Sequence, residues 1–135
     1  MNTGNIAVYV STHTVSDKSE AGSDMENGQI ISFIRERNWE QFHSPKNLAI
    51  AIGAEVGELL ECFQWKTDEE ISGMVEKGDT HSFADEIADI YMYLVSLCHS
   101  MNIDFENAIQ NKLEKNRQKY PVDKSFGSAK KYTEL

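Results

Sequence analysis

Two stretches in the middle of the chain join helical apolar patterning to acidic residues three apart, and that combination restricts the fold more than any other feature. Leu48–Leu60 reads Leu-Ala-Ile-Ala-Ile-Gly-Ala-Glu-Val-Gly-Glu-Leu-Leu, with Glu55 and Glu58 as its only charges. Phe83–Leu94 reads Phe-Ala-Asp-Glu-Ile-Ala-Asp-Ile-Tyr-Met-Tyr-Leu, with Glu86 and Asp89 in the same spacing. Residues i and i+3 share a helix face. Carboxylates on a largely apolar helix face are costly unless something positive meets them. Two such pairs facing each other in a helical bundle form an all-oxygen site suited to Mg²⁺, with Mn²⁺ as a substitute. Asp85, four before Asp89, and Glu61, next in the Glu58 row, flank the two pairs.

The 135 residues fit one domain, and 40% hydrophobic residues are enough for a core. A net charge of −9 leaves no basic stripe for a nucleic acid polymer. It leaves room for a nucleotide, whose phosphates a metal ion can carry. Cys62 and Cys98 lie among apolar neighbours without zinc spacing, as buried thiols of a reduced compartment do. No apolar run reaches membrane-spanning length, and the N-terminus lacks the pattern of a signal peptide. A cytoplasmic protein is expected.

Residues 1–24 are rich in Ser, Thr, Asn, Asp and Gly and lack helical periodicity. They read as a mobile tail in which Ile6–Val10 could form a short strand. Residues 25–135 read as one helical domain. The periodicity predicts helices over about 26–37, 45–65, 68–77, 81–101 and 105–119. Ser44-Pro45 is a start signal, Thr67 to Glu70 a capping box, Asp79 or Thr80 caps the long helix, Asp104 caps the last helix and Pro121 ends it. Gly53 and Gly57 each cost about 1 kcal/mol in a helix interior. Their presence predicts close approach of another backbone or a ligand. The expected fold is all-α, a bundle of four or five helices.

The pattern Glu-x-x-Glu, 27 intervening residues, then Glu-x-x-Asp resembles that of the all-α nucleoside triphosphate pyrophosphohydrolases, the MazG-like superfamily. Asn38-Trp-Glu-Gln-Phe-His43, Glu55-Val-Gly-Glu-Leu59, Phe63-Gln-Trp-Lys-Thr67, Lys115-Asn-Arg117 with Tyr120-Pro121, and Lys131-Tyr-Thr-Glu-Leu135 resemble its dCTP pyrophosphatase branch. The resemblance spans about residues 29–135. It implies hydrolysis of a deoxynucleoside triphosphate to the monophosphate and diphosphate, on a homotetramer built as a dimer of dimers. Glu55, Glu58, Glu86 and Asp89 would hold Mg²⁺, with Glu55 or Glu58 as general base. No Ser/His/Asp or Cys/His nucleophile and no Gly-rich phosphate loop is present.

The resemblance also implies a base pocket with Trp39 and Trp65, to which His43 could contribute. Tyr93, four after Asp89, lies on the metal face and could stack on the deoxyribose. Lys112, Asn116, Arg117 and Tyr120 become phosphate contacts, from the same or a neighbouring subunit, with Lys130 and Lys131 of the tail closing over them. Aligned without gaps from Trp39, this chain has Ile30 where the dCTP-preferring branch has a histidine, which leaves the base preference open. Two alternatives remain: the same chemistry on dATP, dUTP or an oxidised nucleotide, and a catalytically silent metal-binding bundle.

Overall fold

The computed structural model describes residues 20–135, with side chains described from Glu26 onward. Ile6–Val10 and most of the expected tail lie outside the described residues. Within them the chain is all-helical: α1 (Glu20–Glu36), α2 (Pro45–Phe63), α3 (Asp68–Lys77), α4 (His81–Ser100), α5 (Phe105–Lys119) and the short α6 (Val122–Ser125), with 3-10 turns at Glu40–Phe42 and Tyr132–Glu134. α1 begins six residues ahead of the expected Glu26, so its backbone takes in residues 20–24 of the segment read as tail.

The helix boundaries follow local chemistry. Ser44 Oγ accepts from the Asn47 amide at 3.2 Å, and Pro45 fills the first position of α2. Thr67 and Glu70 close the predicted capping box in both directions, at 3.2 and 2.8 Å. Asp104 Oδ1 accepts from the Asn107 amide at 2.9 Å. Thr80 occupies the N-cap of α4 without a side-chain hydrogen bond. α2 stops at Phe63, two residues earlier than the periodicity suggests, because Trp65 turns into the left-handed region at φ 66°.

α2 and α4 form the central pair, α1 packs on α4, and the remaining elements touch these three only lightly. Buried and half-buried residues recur along both helices at the alternating three- and four-residue spacing of a coiled-coil seam: Leu48, Ile52, Glu55, Leu59 and Cys62 on α2, and Phe83, Glu86, Ile90, Tyr93 and Leu97 on α4. Phe63 and Phe83 close one end with ring centroids 4.7 Å apart. Ile34 of α1 and Val95 of α4 complete the core. Leu48 is the one described large side chain that is fully buried, whereas Ile50, Leu60 and Ile87 are 65%, 63% and 56% exposed. The space beside Gly53 and Gly57 is also open: a Cβ on either would meet no atom within 4 Å. The close neighbour expected there does not come from the chain's own fold.

Candidate active site

The four carboxylates are not equivalent. Glu55 and Glu86 occupy seam positions of α2 and α4 and are half-buried, while Glu58 and Asp89 stand three residues further on, at the exposed flank. Carboxylate oxygens of Glu55, Glu86 and Asp89 come within 4.8 Å of one another. Glu58 stays outside this triplet, though its charge acts on both Glu55 and Glu86. Burial, then repulsion from Glu58, Asp89 and Glu86, raises the Glu55 carboxyl above the usual carboxylate range. Burial and repulsion from Glu58, Asp89, Asp85 and Glu61 raise Glu86 in the same direction. No described Lys or Arg forms an ion pair with any of these groups. The cluster is thus an uncompensated set of hard oxygen donors, which fits a divalent cation such as Mg²⁺.

The triplet opens into a cavity of about 310 Å³ lined by Phe33, Ile34, Trp39, His43, Glu55, Asp89, Met92, Tyr93 and Ser96. The Phe33 and Trp39 rings meet edge to face at 5.9 Å, and the Arg37 guanidinium covers the Phe33 ring at 3.6 Å. The His43 and Tyr93 rings lie 6.4 Å apart. His43 Nδ1 is buried without a hydrogen-bond partner. Ser96 is buried and its Oγ donates to the Met92 carbonyl at 2.7 Å. A larger hollow of about 680 Å³ lies between α1 and the α4–α5 corner and contains none of the clustered carboxylates.

Of the residues singled out in the sequence, Trp39, His43, Glu55, Asp89 and Tyr93 share this cavity, and Glu86 adjoins it through the triplet. Trp65 does not line it and is 91% exposed. Lys112, Asn116, Arg117 and Tyr120 also lie apart, on or just after the loosely packed α5. Arg117 pairs with Glu114 at 3.4 Å, and Tyr120 packs edge to face on Tyr132 of the C-terminal turn at 6.0 Å. That contact joins two sequence blocks recognised separately. Ile30 is half-buried and lines no part of the cavity. Phe33, Met92 and Ser96 were not foreseen as site residues. Met92 and Ser96 are legible only once Tyr93 and Asp89 are known to face the pocket.

Over residues 50–135 the chain matches the MazG-like family. It is 45% identical to dCTP pyrophosphatase 1 of Rattus norvegicus over 104 residues, 76% of this chain and 61% of that one. It is 46% identical to dCTP pyrophosphatase 1 of Bos taurus, over 76% of this chain and 62% of that one. The chain therefore spans about three-fifths of the length of the curated relatives it matches. Among solved structures it resembles a pyrophosphatase from Archaeoglobus fulgidus DSM 4304, with a TM-score of 0.66 and 37% identity, covering 73% of this chain and 92% of that one. The paired carboxylates on α2 and α4, the helical architecture and these matches together place the chain in the MazG-like family.

Proposed function

We propose that the chain is a divalent-cation-dependent nucleoside triphosphate pyrophosphohydrolase acting on dCTP or a modified dCTP, releasing the monophosphate and diphosphate. The carrying observation is the Glu55–Glu86–Asp89 triplet opening into the aromatic cavity, in a chain whose relatives are named dCTP pyrophosphatase 1. Glu55, Glu86 and Asp89 would hold Mg²⁺, with Glu58, whose charge acts on Glu55 and Glu86, as a fourth candidate ligand. Bound there, the cation would offset the triphosphate charge and make the α-phosphoryl group more electrophilic.

The chain's own residues supply the rest. Trp39 and Phe33 offer a face for the base, His43 Nδ1 a polar contact, and Tyr93 the wall for the deoxyribose, where a 2′-hydroxyl would crowd it. Glu58, outside the triplet, is suited to accept the proton of the attacking water, with Glu55 as the other candidate. The phosphate contacts assigned to Lys112, Asn116, Arg117 and Tyr120, and the base contact assigned to Trp65, fit an assembly in which a neighbouring subunit supplies them. The exposed Ile50, Leu60 and Ile87 and the open faces of Gly53 and Gly57 support such an assembly, which we read as a dimer of dimers. No described helix is long and apolar enough to cross a membrane, and we read the protein as cytoplasmic.

Diphosphate release from dCTP, dATP, dUTP, dTTP and CTP, with and without Mg²⁺, tests the proposal. Mg²⁺-dependent release with dCTP preferred is the expected result. Release from another base at a higher kcat/KM would move the substrate assignment, and no release from any nucleotide would overturn it.

A further inference from the structure

The 3-10 turn Glu40–Phe42 is flanked by Trp39 and His43, both on the cavity wall. Its attachments inside the segment are local: the Trp39 amide donates to the Ile34 carbonyl at 3.1 Å, Gln41 Nε2 to the Asn38 carbonyl at 2.8 Å, and Asn47 Nδ2 to the Phe42 carbonyl at 3.1 Å. None of these reaches α4, which carries Glu86, Asp89 and Tyr93. A polar connection to α4 runs through Glu40. Its Oε1 accepts from Arg35 Nε of α1 at 3.0 Å, and Arg35 Nη2 lies 3.2 Å from His99 Nε2 at the end of α4. Arginine has donors and no acceptor, so His99 Nε2 stands in the acceptor position of this contact. The same nitrogen lies 3.9 Å from Glu40 Oε1, so the three side chains meet at one point.

A second cavity of about 240 Å³ lies directly behind, lined by Ile31, Ile34, Glu40, His43, Ser96, His99 and Ser100. His43, Ser96 and Ile34 border both cavities, so one thin wall separates Glu40 and His99 from the candidate base site. Ring contacts with Phe33 and Tyr93 support this wall on the side of the base site, and open space lies on the other. Arg35, Glu40 and His99 are each about half exposed, so the network adds little to global stability. Its consequence is geometric: it ties the turn to two helices at once.

Resting on the pyrophosphohydrolase reading above, we propose that Arg35, Glu40 and His99 are positioning residues that hold Trp39 and His43 in place against the nucleobase, without touching the substrate. Two measurements test this. The chain has two tryptophans, so a Trp65→Phe background leaves Trp39 as the sole indole reporter. In that background Glu40→Ala and His99→Ala should red-shift Trp39 emission and increase its quenching by acrylamide, with Glu40→Gln, which keeps an acceptor for Arg35, restoring much of the parent signal. Unchanged emission and quenching in both alanine variants would overturn the proposal whether or not dCTP is the substrate.

With Trp65 intact, the same alanine variants should raise KM for dCTP roughly three- to tenfold, the range of a partly exposed charge-assisted hydrogen bond, with kcat little changed. Their kinetics on deoxyribose triphosphate lacking a base should match the parent. An equal loss on both substrates, or a fall in kcat alone, would assign the network to general structure and overturn the positioning role. A parent protein inactive on every triphosphate would instead overturn the pyrophosphohydrolase reading, and the fluorescence measurement would still decide the network.

Discussion

Glu55 on α2 and Asp89 on α4 reach across the helix pair to within 4.8 Å and border the same cavity as Trp39, His43 and Tyr93. The acidic cluster and the aromatic wall are thus two sides of one space. A triphosphate bound with its phosphates at the carboxylates would place its base among the rings.

Removing a ligand should separate activity from stability. Glu86→Gln or Asp89→Ala should cost at least about a hundredfold in Mg²⁺-dependent diphosphate release, since even indirect partners of metal ligands cost about 10–100-fold. The metal-free protein should be as stable as the parent or more so, because each change relieves repulsion inside the cluster. Near-parental turnover in both variants would disprove the site.

The same repulsion sets the pH dependence. Glu55 and Glu86 are raised above 4.5 in the folded protein, so the native state holds more protons than the unfolded chain just above that pH. Their contribution to stability is therefore fully present below 4.5 and is lost as pH rises through the raised values. Metal-free melting curves should show this decline, and saturating Mg²⁺ should flatten it. A metal-free protein that gains stability from these two groups over that window would contradict the clustered geometry; Glu55→Gln/Glu86→Gln is the control.

Trp65 combines strain with exposure, at φ 66° and 91% exposed. A bulky residue in the left-handed region costs of order 1–3 kcal/mol and points to function. Trp65→Gly should hold or raise thermal stability, because glycine adopts that backbone freely. It should also raise KM for dCTP about tenfold to a hundredfold, as loss of a base stack worth roughly 1–3 kcal/mol requires. Unchanged dCTP kinetics would remove Trp65 from the base site.

Tyr93, whose ring lies 6.4 Å from that of His43 on the cavity wall, is the side chain proposed to face the deoxyribose. Tyr93→Ala should narrow the kcat/KM ratio of dCTP to CTP by roughly fivefold to tenfold if the contact is worth about 1 kcal/mol or slightly more. An unchanged ratio would assign ribose exclusion to another side chain.

The exposed seam-flanking apolar residues predict an assembly that a single charge disrupts. Leu60→Asp should lower the mass measured by light scattering and reduce thermal stability, since Leu60 is 63% exposed in the lone chain. A Leu60→Asp protein of parental mass would place the interface elsewhere.

The sequence by itself determined the five main helices, the caps of α2, α3 and α5 and the pairing of carboxylates. These depend on local rules: Ser44 with Asn47, Thr67 with Glu70, and the three-residue spacing that puts Glu55 beside Glu58 and Glu86 beside Asp89. What separates Glu55 and Glu86 from Glu58 and Asp89 is the relative rotation of α2 and α4. Only packing decides which member of each pair faces the seam, because both spacings are equally helical. The placement of Trp65 outside the cavity also required the fold, since the helical pattern runs on to residue 65 while the backbone turns left-handed there. The Arg35–Glu40–His99 network joins residues 64 positions apart, a proximity that no local pattern encodes and that arises only when α1 packs on α4.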